Sequence, residues 1–186
     1  QDFREDRSRQ RENSSPATAR DDDAPPGSWS GSGDLTCGRD PAKTMVINKL
    51  RVERNGAVAA PEPLRLHGED LNLTRVLVDG NSVSFRHEDG KLVIDPPSAD
   101  AFTLEVRNTC APEKNTELTG LYTSGGGFFT QCEAQGFRRI TYFLDRPDVM
   151  AVYTVTLRAA KAAYPVLLSN GNLVEQGGLE DGRHYA

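Results

Sequence analysis

Residues 44–54 read TMVINKLRVER and are followed by Asn55-Gly56. Over the second half of this stretch, apolar and polar side chains alternate, which is the period of two expected of a strand with one buried face. Asn-Gly is a common turn pair after a strand. The stretch therefore predicts a half-buried β-strand that ends in a turn.

Further segments repeat this pattern between turn signals such as Asp79-Gly80 and Asn170-Gly171. No stretch shows a helical period beyond a turn or two, and residues 146–151 are the best short candidate for a helix. Short alternating segments between recurring turns are typical of all-β folds. We therefore predict an all-β domain, either an antiparallel β-sandwich or a curved open sheet. Besides 44–54, the predicted strands are 64–67, 71–78, 83–86, 92–94, 102–107, 128–132, 153–158 and 164–169.

The start of the chain differs from the rest. Residues 1–23 contain five Arg and seven acidic residues, and Phe3 is their only large apolar side chain. A segment of this composition buries too little apolar surface to offset the cost of ordering its backbone. We therefore predict a low-complexity, disordered segment over residues 1–33, in which Trp29 is exposed or packs only opportunistically, and a β domain over residues 34–186.

Charge and composition exclude some classes of partner. The formal net charge of −5 gives no general attraction to nucleic acid or to anionic membranes. No apolar run approaches the roughly 20 residues needed to span a bilayer, and the charged start has no apolar segment typical of an export signal. The odd number of cysteines, three, argues against a disulfide framework. We therefore expect no nucleic-acid partner, no membrane association and a cytoplasmic location.

Candidate catalytic motifs lack the required spacing or context. His87-Glu88 begins like the zinc motif HExxH, but Lys91 stands where the second histidine belongs and Asp89-Gly90 would break a helix. The SGGG run at 124–127 has neither the strand-to-helix context of a nucleophile elbow nor the GK[ST] of a phosphate loop. We therefore predict hairpin turns at both places, and neither a metal site nor a catalytic residue in this chain.

The densest cluster of unusual residues runs from Thr130 to Asp148. On a strand, Gln131 and Glu133 point to one face and Cys132 to the other, so an amide oxygen and a carboxylate lie about 7 Å apart along the chain. Two such acceptors suit a primary ammonium group, which needs several acceptors and a compensating charge. A solvated polar face explains the same spacing, and from spacing alone it is the more common case.

Three stretches make the chain recognisable: TQCEA at 130–134, YFLDRPDV at 142–149 and YPVLLSNGN at 164–172. They resemble the bacterial aminopeptidase N (alanyl-type) branch of the zinc-dependent M1 family. Asp145-Arg146-Pro147 marks this branch, since other M1 branches usually read Asp-Glu-Pro. The resemblance covers residues 34–186 and implies the β-structured N-terminal domain of such an enzyme.

The resemblance also implies roles for single residues. Gln131 and Glu133 are expected to bind the free α-amino group of a peptide, and Cys132 to be a packing residue. Zinc is implied in the full-length enzyme, but the family's zinc motif and its Gly-x-Met-Glu-Asn loop are absent from this sequence. We therefore expect peptide N-termini and the catalytic domain of the same polypeptide as partners, and no hydrolysis by this chain alone. Before Asp34 the chain departs from the family, whose members have an ordered first strand there.

A second hypothesis is a free-standing, non-catalytic β-sandwich that serves as a binding or scaffold module. Exposed aromatic side chains on one sheet face would favour it. Tyr122, Phe128 and Phe129 are the candidates, and they suit a core equally well.

Overall fold

The computed structural model describes residues 26–38, 40–58, 62–95 and 97–186, without the side chains of Trp29 and Ser30. The predictions of disorder for residues 1–25 and of an exposed Trp29 side chain therefore lie outside the described residues. Helical structure in the described part consists of two short 3₁₀ helices, Pro112–Lys114 and Phe137–Arg139. No helix there is long and apolar enough to cross a membrane.

Strands make up most of the ordered structure. In chain order they are β1 (Ser28–Gly38), β2 (Thr44–Arg54), β3 (Leu64–His67), β4 (Asn72–Val78), β5 (Asn81–Ser82), β6 (Phe85–Glu88), β7 (Lys91–Ile94), β8 (Ala101–Cys110), β9 (Gly120–Ser124), β10 (Gly127–Gln131), β11 (Val152–Ala160), β12 (Gly177–Gly178) and β13 (Arg183–Tyr185).

One large sheet has the strand order β12-β13-β11-β1-β2-β8-β4-β5. A smaller sheet has the order β3-β7-β6, and β9 and β10 form a separate hairpin. Among the described strands, β1 and β11 pair in parallel and the other neighbours pair antiparallel. The prediction of an all-β fold with antiparallel sheets is therefore confirmed, with one parallel pair that the alternation pattern does not reveal.

The main core lies between the two sheets. In β2, buried and exposed side chains alternate along the strand, as the sequence predicts. Leu50 of β2 and Leu104 of β8 pack in one cluster with Leu66 and Leu92 of the small sheet. Full burial of a leucine side chain contributes about 1.5–3 kcal/mol. The alternation in residues 44–54 therefore determines which face of the large sheet is covered.

The prediction that disorder extends to residue 33 is wrong, because β1 begins at Ser28. β1 pairs with β2 over nearly its whole length and with β11 over residues 32–38. Strand neighbours satisfy backbone hydrogen bonds whatever the side chains are. Gly33 also lies against Leu50 and Tyr153, and a Cβ atom at this position would be 3.0 Å from a leucine methyl group. Gly33, which the sequence pattern placed in the low-complexity segment, thus allows close packing near the middle of the large sheet.

One predicted strand is wrong, because residues 164–169 form no strand. Residues 146–151, the best short candidate for a helix, form none, in agreement with the prediction of an all-β domain. Pro165 lacks the N–H group that a strand interior needs. In the second segment, the bond from the Val149 N–H group to the Arg146 carbonyl closes a single turn.

The segment from Ile140 to Leu144 contacts both sheets. Toward the small sheet, the His67 N–H group donates to the Phe143 carbonyl over 2.8 Å, and the Phe143 N–H group donates back over 3.1 Å. Tyr142, Phe143 and Leu144 belong to the main core cluster. This irregular segment is therefore part of the core although it lies outside the named strands.

Two asparagines hold the same segment against the large sheet. Asn108 Nδ2 donates to the Ile140 carbonyl over 2.9 Å, and Thr141 Oγ1 donates to Asn108 Oδ1 over 2.9 Å. Asn48 Nδ2 donates to the Tyr142 carbonyl over 3.3 Å. Asn48, Asn108 and Thr141 are fully buried. In a core of low dielectric constant, an unpaired polar group is costly, so these bonds specify where the segment lies.

We expect Asn108→Ala to lower the free energy of unfolding by about 1–3 kcal/mol, because the Ile140 carbonyl and the Thr141 hydroxyl lose a buried partner. Urea unfolding of the full chain measures this change. Asn170→Ala, at an exposed position, is the matched control and should change the free energy by less than about 0.5 kcal/mol. Equal stability of the two variants would contradict the role assigned to Asn108.

Candidate functional site

The hairpin of β9 and β10 carries one of the two predicted site residues. Gly125 and Gly126 join its strands with φ values of 55° and 79°, a conformation that glycine adopts at little cost. The register places Gln131, the last residue of β10, opposite Gly120, the first residue of β9. The hairpin predicted at the glycine run is confirmed.

The predicted strand through Gln131 and Glu133 is wrong, because β10 ends at Gln131. After Cys132 the chain turns, and the Gly136 N–H group closes the turn on the Cys132 carbonyl over 2.7 Å. The Glu133–Ala134 peptide bond in this turn is cis. Gln131 Nε2 donates to the Glu133 carbonyl over 3.4 Å, and both residues are exposed. A turn, rather than strand alternation, keeps the two residues close.

Two glycines allow this turn to pack against the hairpin. At Gly136 a Cβ atom would lie 2.4 Å from the Gln131 carbonyl oxygen and 2.6 Å from Thr119 Oγ1. At Gly120, where φ is 74°, a Cβ atom would lie 2.4 Å from the Arg139 Cβ atom. A Cβ atom does not approach non-bonded atoms this closely, so a side chain at either position would displace the turn.

Ion pairs hold the 3₁₀ helix that follows the turn. Asp145 Oδ2 accepts hydrogen bonds from Arg138 N–H at 3.1 Å and from Arg138 Nε at 2.9 Å, and the two side chains are only 13% and 12% exposed. Arg139 pairs with Asp70 at 2.6 Å and with Glu69 at 3.1 Å, at a more exposed position. Charge-assisted bonds between shielded groups are the stronger kind, and exposed pairs contribute little. Asp145 is therefore the main anchor of this helix.

The Glu133 carboxylate and Gln131 Oε1 have no hydrogen-bond donor among the residues that the structure describes. Because the Gln131 Nε2 group is occupied by the Glu133 carbonyl, the amide oxygen of Gln131 is the atom left to accept a bond. Glu133 adds a negative charge beside it. The turn thus presents acceptors, one of them charged, to an external cation.

Cys132 is exposed, so the packing role that the resemblance implies for it is wrong. Partial loss of water around the thiol and, as a smaller effect, the Asp145 carboxylate raise the pKa of Cys132. Burial raises the pKa of the Tyr153 phenol, and the charges of Asp145 and Cys132 add to that shift. A thiol with a raised pKa carries little thiolate at neutral pH and is a poor nucleophile.

The His87-Glu88 pair lies on β6, and Asp89-Gly90 forms the turn to β7 with φ values of 49° and 73°. The hairpin predicted here is confirmed. Arg86 hydrogen-bonds to Glu88 and lowers the pKa of that carboxyl group. In the described ranges, no group of three or more His, Cys, Asp or Glu side chains is placed to hold a metal ion.

Comparison with known proteins identifies the fold. Residues 43–186 match the model of the peptidase M1 N-terminal domain. The chain belongs to the peptidase M1 family. It is 50% identical over 153 residues to aminopeptidase N of Escherichia coli, and 44% identical over 151 residues to aminopeptidase N of Haemophilus influenzae. These alignments cover 82% and 78% of this M1 chain but 17% of each relative, so the chain spans less than a fifth of their length.

Solved structures agree with this assignment. Aminopeptidase A of Legionella pneumophila, in complex with aspartic acid, has a TM-score of 0.78 and 31% identity, over 86% of this chain and 19% of that one. An M1 zinc metallopeptidase mutant of Deinococcus radiodurans, bound to a Tyr-Ser-Ala substrate, has a TM-score of 0.68 at 18% identity, over 86% of this chain and 38% of that one. The second likeness concerns the fold alone. The resemblance to the M1 N-terminal domain is therefore confirmed.

Sequence reasoning misses the residues that shape the turn. Gly120 and Gly136 read as ordinary turn glycines, and the steric need for them depends on contacts between segments distant in sequence. Thr119 Oγ1, which donates to the Gln131 carbonyl over 3.4 Å, gives no sequence signal at all.

We expect iodoacetamide to alkylate Cys132 in the folded chain slowly at neutral pH and faster as the pH rises, with an apparent pKa above that of a free cysteine. The reason is the raised pKa of the thiol, which leaves little thiolate at low pH. Mass spectrometry of the folded chain between about pH 7 and about pH 10 measures the rate. The same chain unfolded in urea is the control and should give the ordinary value of about 8.5. Identical profiles in the two states would contradict the assigned environment.

Proposed function

We propose that this domain binds the protonated α-amino group of a peptide substrate, through Gln131 and Glu133, as part of an M1 aminopeptidase. The observation that carries the proposal is the pair of exposed acceptors that lack donors in the described structure. Their turn is anchored by the Arg138–Asp145 pair. Anchoring supports a binding role, because a preorganised site loses less entropy when it binds.

The chemistry of the proposed ligand fits these acceptors. A peptide α-amine has a pKa of about 8 and is largely protonated at neutral pH. An ammonium group has only donors, so it needs oxygen acceptors and a compensating negative charge. Glu133 supplies the charge and Gln131 a second oxygen. Holding the amine at a fixed place would align the first peptide bond for cleavage, which is the geometry that exopeptidase action requires.

The relatives support the same ligand class. The Escherichia coli and Haemophilus influenzae proteins are aminopeptidases by name. The Legionella pneumophila structure holds aspartic acid, which carries a free α-amino group. We therefore extend recognition of peptide N-termini to this chain.

The catalytic groups of such an enzyme would come from the region that this chain does not span. The chain matches the N-terminal domain of the M1 family, and the zinc motif of that family is absent from its sequence. We therefore propose that this chain recognises substrate and does not hydrolyse it alone. The cytoplasmic location inferred from the cysteines stays a prediction.

An enzyme-length chimera tests the proposed role. In it, residues 43–186 replace the matching N-terminal residues of Escherichia coli aminopeptidase N. We expect Glu133→Gln to lower kcat/KM for alanine p-nitroanilide by about 1–3 kcal/mol, roughly 5- to 150-fold, because the ammonium group loses its charged partner. Steady-state kinetics at neutral pH provide the measurement.

Glu53→Gln in the same chimera is the matched control, since Glu53 is an exposed glutamate on β2. It should leave kcat/KM unchanged. An unchanged kcat/KM in the Glu133→Gln variant would contradict the proposed contact between Glu133 and the substrate amine. A chain that binds a glycan or protein with Gln131 and Glu133 both replaced by Ala would instead favour the free-standing binding module.

A further inference from the structure

The hairpin of β9 and β10 carries three aromatic side chains, which the structure separates onto two faces. Phe128 is half-buried, packs against a core cluster and meets the Tyr164 ring edge-on, with 5.1 Å between the ring centroids. Phe129, the next residue of β10, is 49% exposed. Successive side chains of a strand point to opposite faces. Phe128 therefore attaches the hairpin to the domain, and Phe129 lies on the open face.

On the open face, Phe129 stacks with Tyr122, the residue opposite it in the hairpin register. The two ring centroids are 5.9 Å apart and the ring planes differ by 24°. The Phe129 ring also leans over Gly127, where a Cβ atom would lie 3.3 Å from the ring atom Cε2. Stacked rings hold each other in a defined orientation. We call the Tyr122–Phe129 pair the aromatic platform.

The aromatic platform lies beside the candidate amine site. Gln131 follows Phe129 by two positions on β10, so both side chains leave the same face of the strand, about 7 Å apart. Residues 118–132 contain no charged side chain, and Glu133 follows them directly. An uncharged aromatic surface therefore adjoins a pair of oxygen acceptors, one of them charged. This combination suits a ligand that carries an ammonium group and an apolar side chain on neighbouring atoms.

We propose that the aromatic platform binds the side chain of the first residue of a peptide substrate, and that it favours aromatic and large aliphatic side chains over alanine. This inference rests on the proposed binding of the substrate amine by Gln131 and Glu133. The platform then acts on the selectivity of the enzyme between substrates, whereas the amine contact acts on all of them.

The reach of the substrate side chain decides which first residues contact the platform. In phenylalanine the ring centre lies up to about 5 Å from the amine nitrogen, whereas the methyl carbon of alanine lies about 2.5 Å from it. A nitrogen held about 3 Å from its acceptor therefore leaves an alanine side chain short of a ring that begins about 7 Å along the strand. A phenylalanine ring spans this gap, and contact between the rings removes apolar surface from water. A charged first side chain would lose water there and find no charged partner among residues 118–132.

The chimera described above tests the platform with two substrates, phenylalanine p-nitroanilide and alanine p-nitroanilide. We expect Phe129→Ala to lower kcat/KM for the phenylalanine substrate by about threefold to tenfold and to change it for the alanine substrate by less than about twofold. Because the alanine substrate reports the amount of active enzyme, the ratio of the two values is independent of any loss of folded protein. An unchanged ratio would overturn the proposal, whether both values fall or neither does.

Matched variants assign the change in this ratio to the platform. Phe129→Leu keeps an apolar side chain on the hairpin and should lower the ratio by a smaller factor than Phe129→Ala. Tyr122→Ala removes the other ring and should lower the ratio as well. Thr130→Ala is the control, because Thr130 is exposed and points to the opposite face of the same strand. A drop in the ratio for Thr130→Ala equal to that for Phe129→Ala would contradict the platform.

Glu133→Gln separates the platform from the amine contact. This substitution should lower kcat/KM for both substrates by the same factor, because both carry the amine. If it lowers both values and Phe129→Ala leaves their ratio unchanged, the platform is wrong and the amine contact stands. If Glu133→Gln leaves both values unchanged while Phe129→Ala lowers the ratio, the amine contact is wrong and the aromatic surface still selects the side chain.

Discussion

Two buried asparagine side chains attach an irregular piece of chain to the inner face of the large sheet, and the rest of the molecule is arranged around that attachment. Asn48 and Asn108 lie where a strand pattern calls for apolar residues, and each donates to a carbonyl in the segment 140–142. The Asn108 amide supplies this segment with a donor and an acceptor in the core, and the Asn48 amide supplies a donor. An apolar side chain at either place would fill the volume and leave the carbonyl unpaired.

The candidate site takes its geometry from this same segment. Arg138 precedes it and Asp145 follows it, so the ion pair between them spans the buried residues. The turn that holds Glu133 comes immediately before, at Gly136. Core packing and site geometry are therefore mechanically linked, although the site itself is exposed.

The sequence predicts the fold well where burial alone decides the structure. Alternation in residues 44–54 identifies β2 and its buried face correctly. The alternation pattern fails where contacts between distant segments determine the structure. Gly33 belongs to a strand because β2 and β11 pair with it on either side, and no local pattern encodes that pairing. Glu133 leaves the strand because of a turn closed from Gly136, although the residues Gln131 and Glu133 are recognisable from their family motif.

The parallel pairing of β1 with β11 has a consequence for how the domain is made. Ser32 pairs with Val152, about 120 residues later in the chain. During synthesis, β1 and β2 emerge early. The outer edge of β1 stays unpaired until β11 has been synthesised much later. Contacts of such long sequence separation slow folding and leave strand edges exposed to other chains meanwhile. Until β11 is synthesised, the outer edge of β1 is therefore open to pairing with other chains.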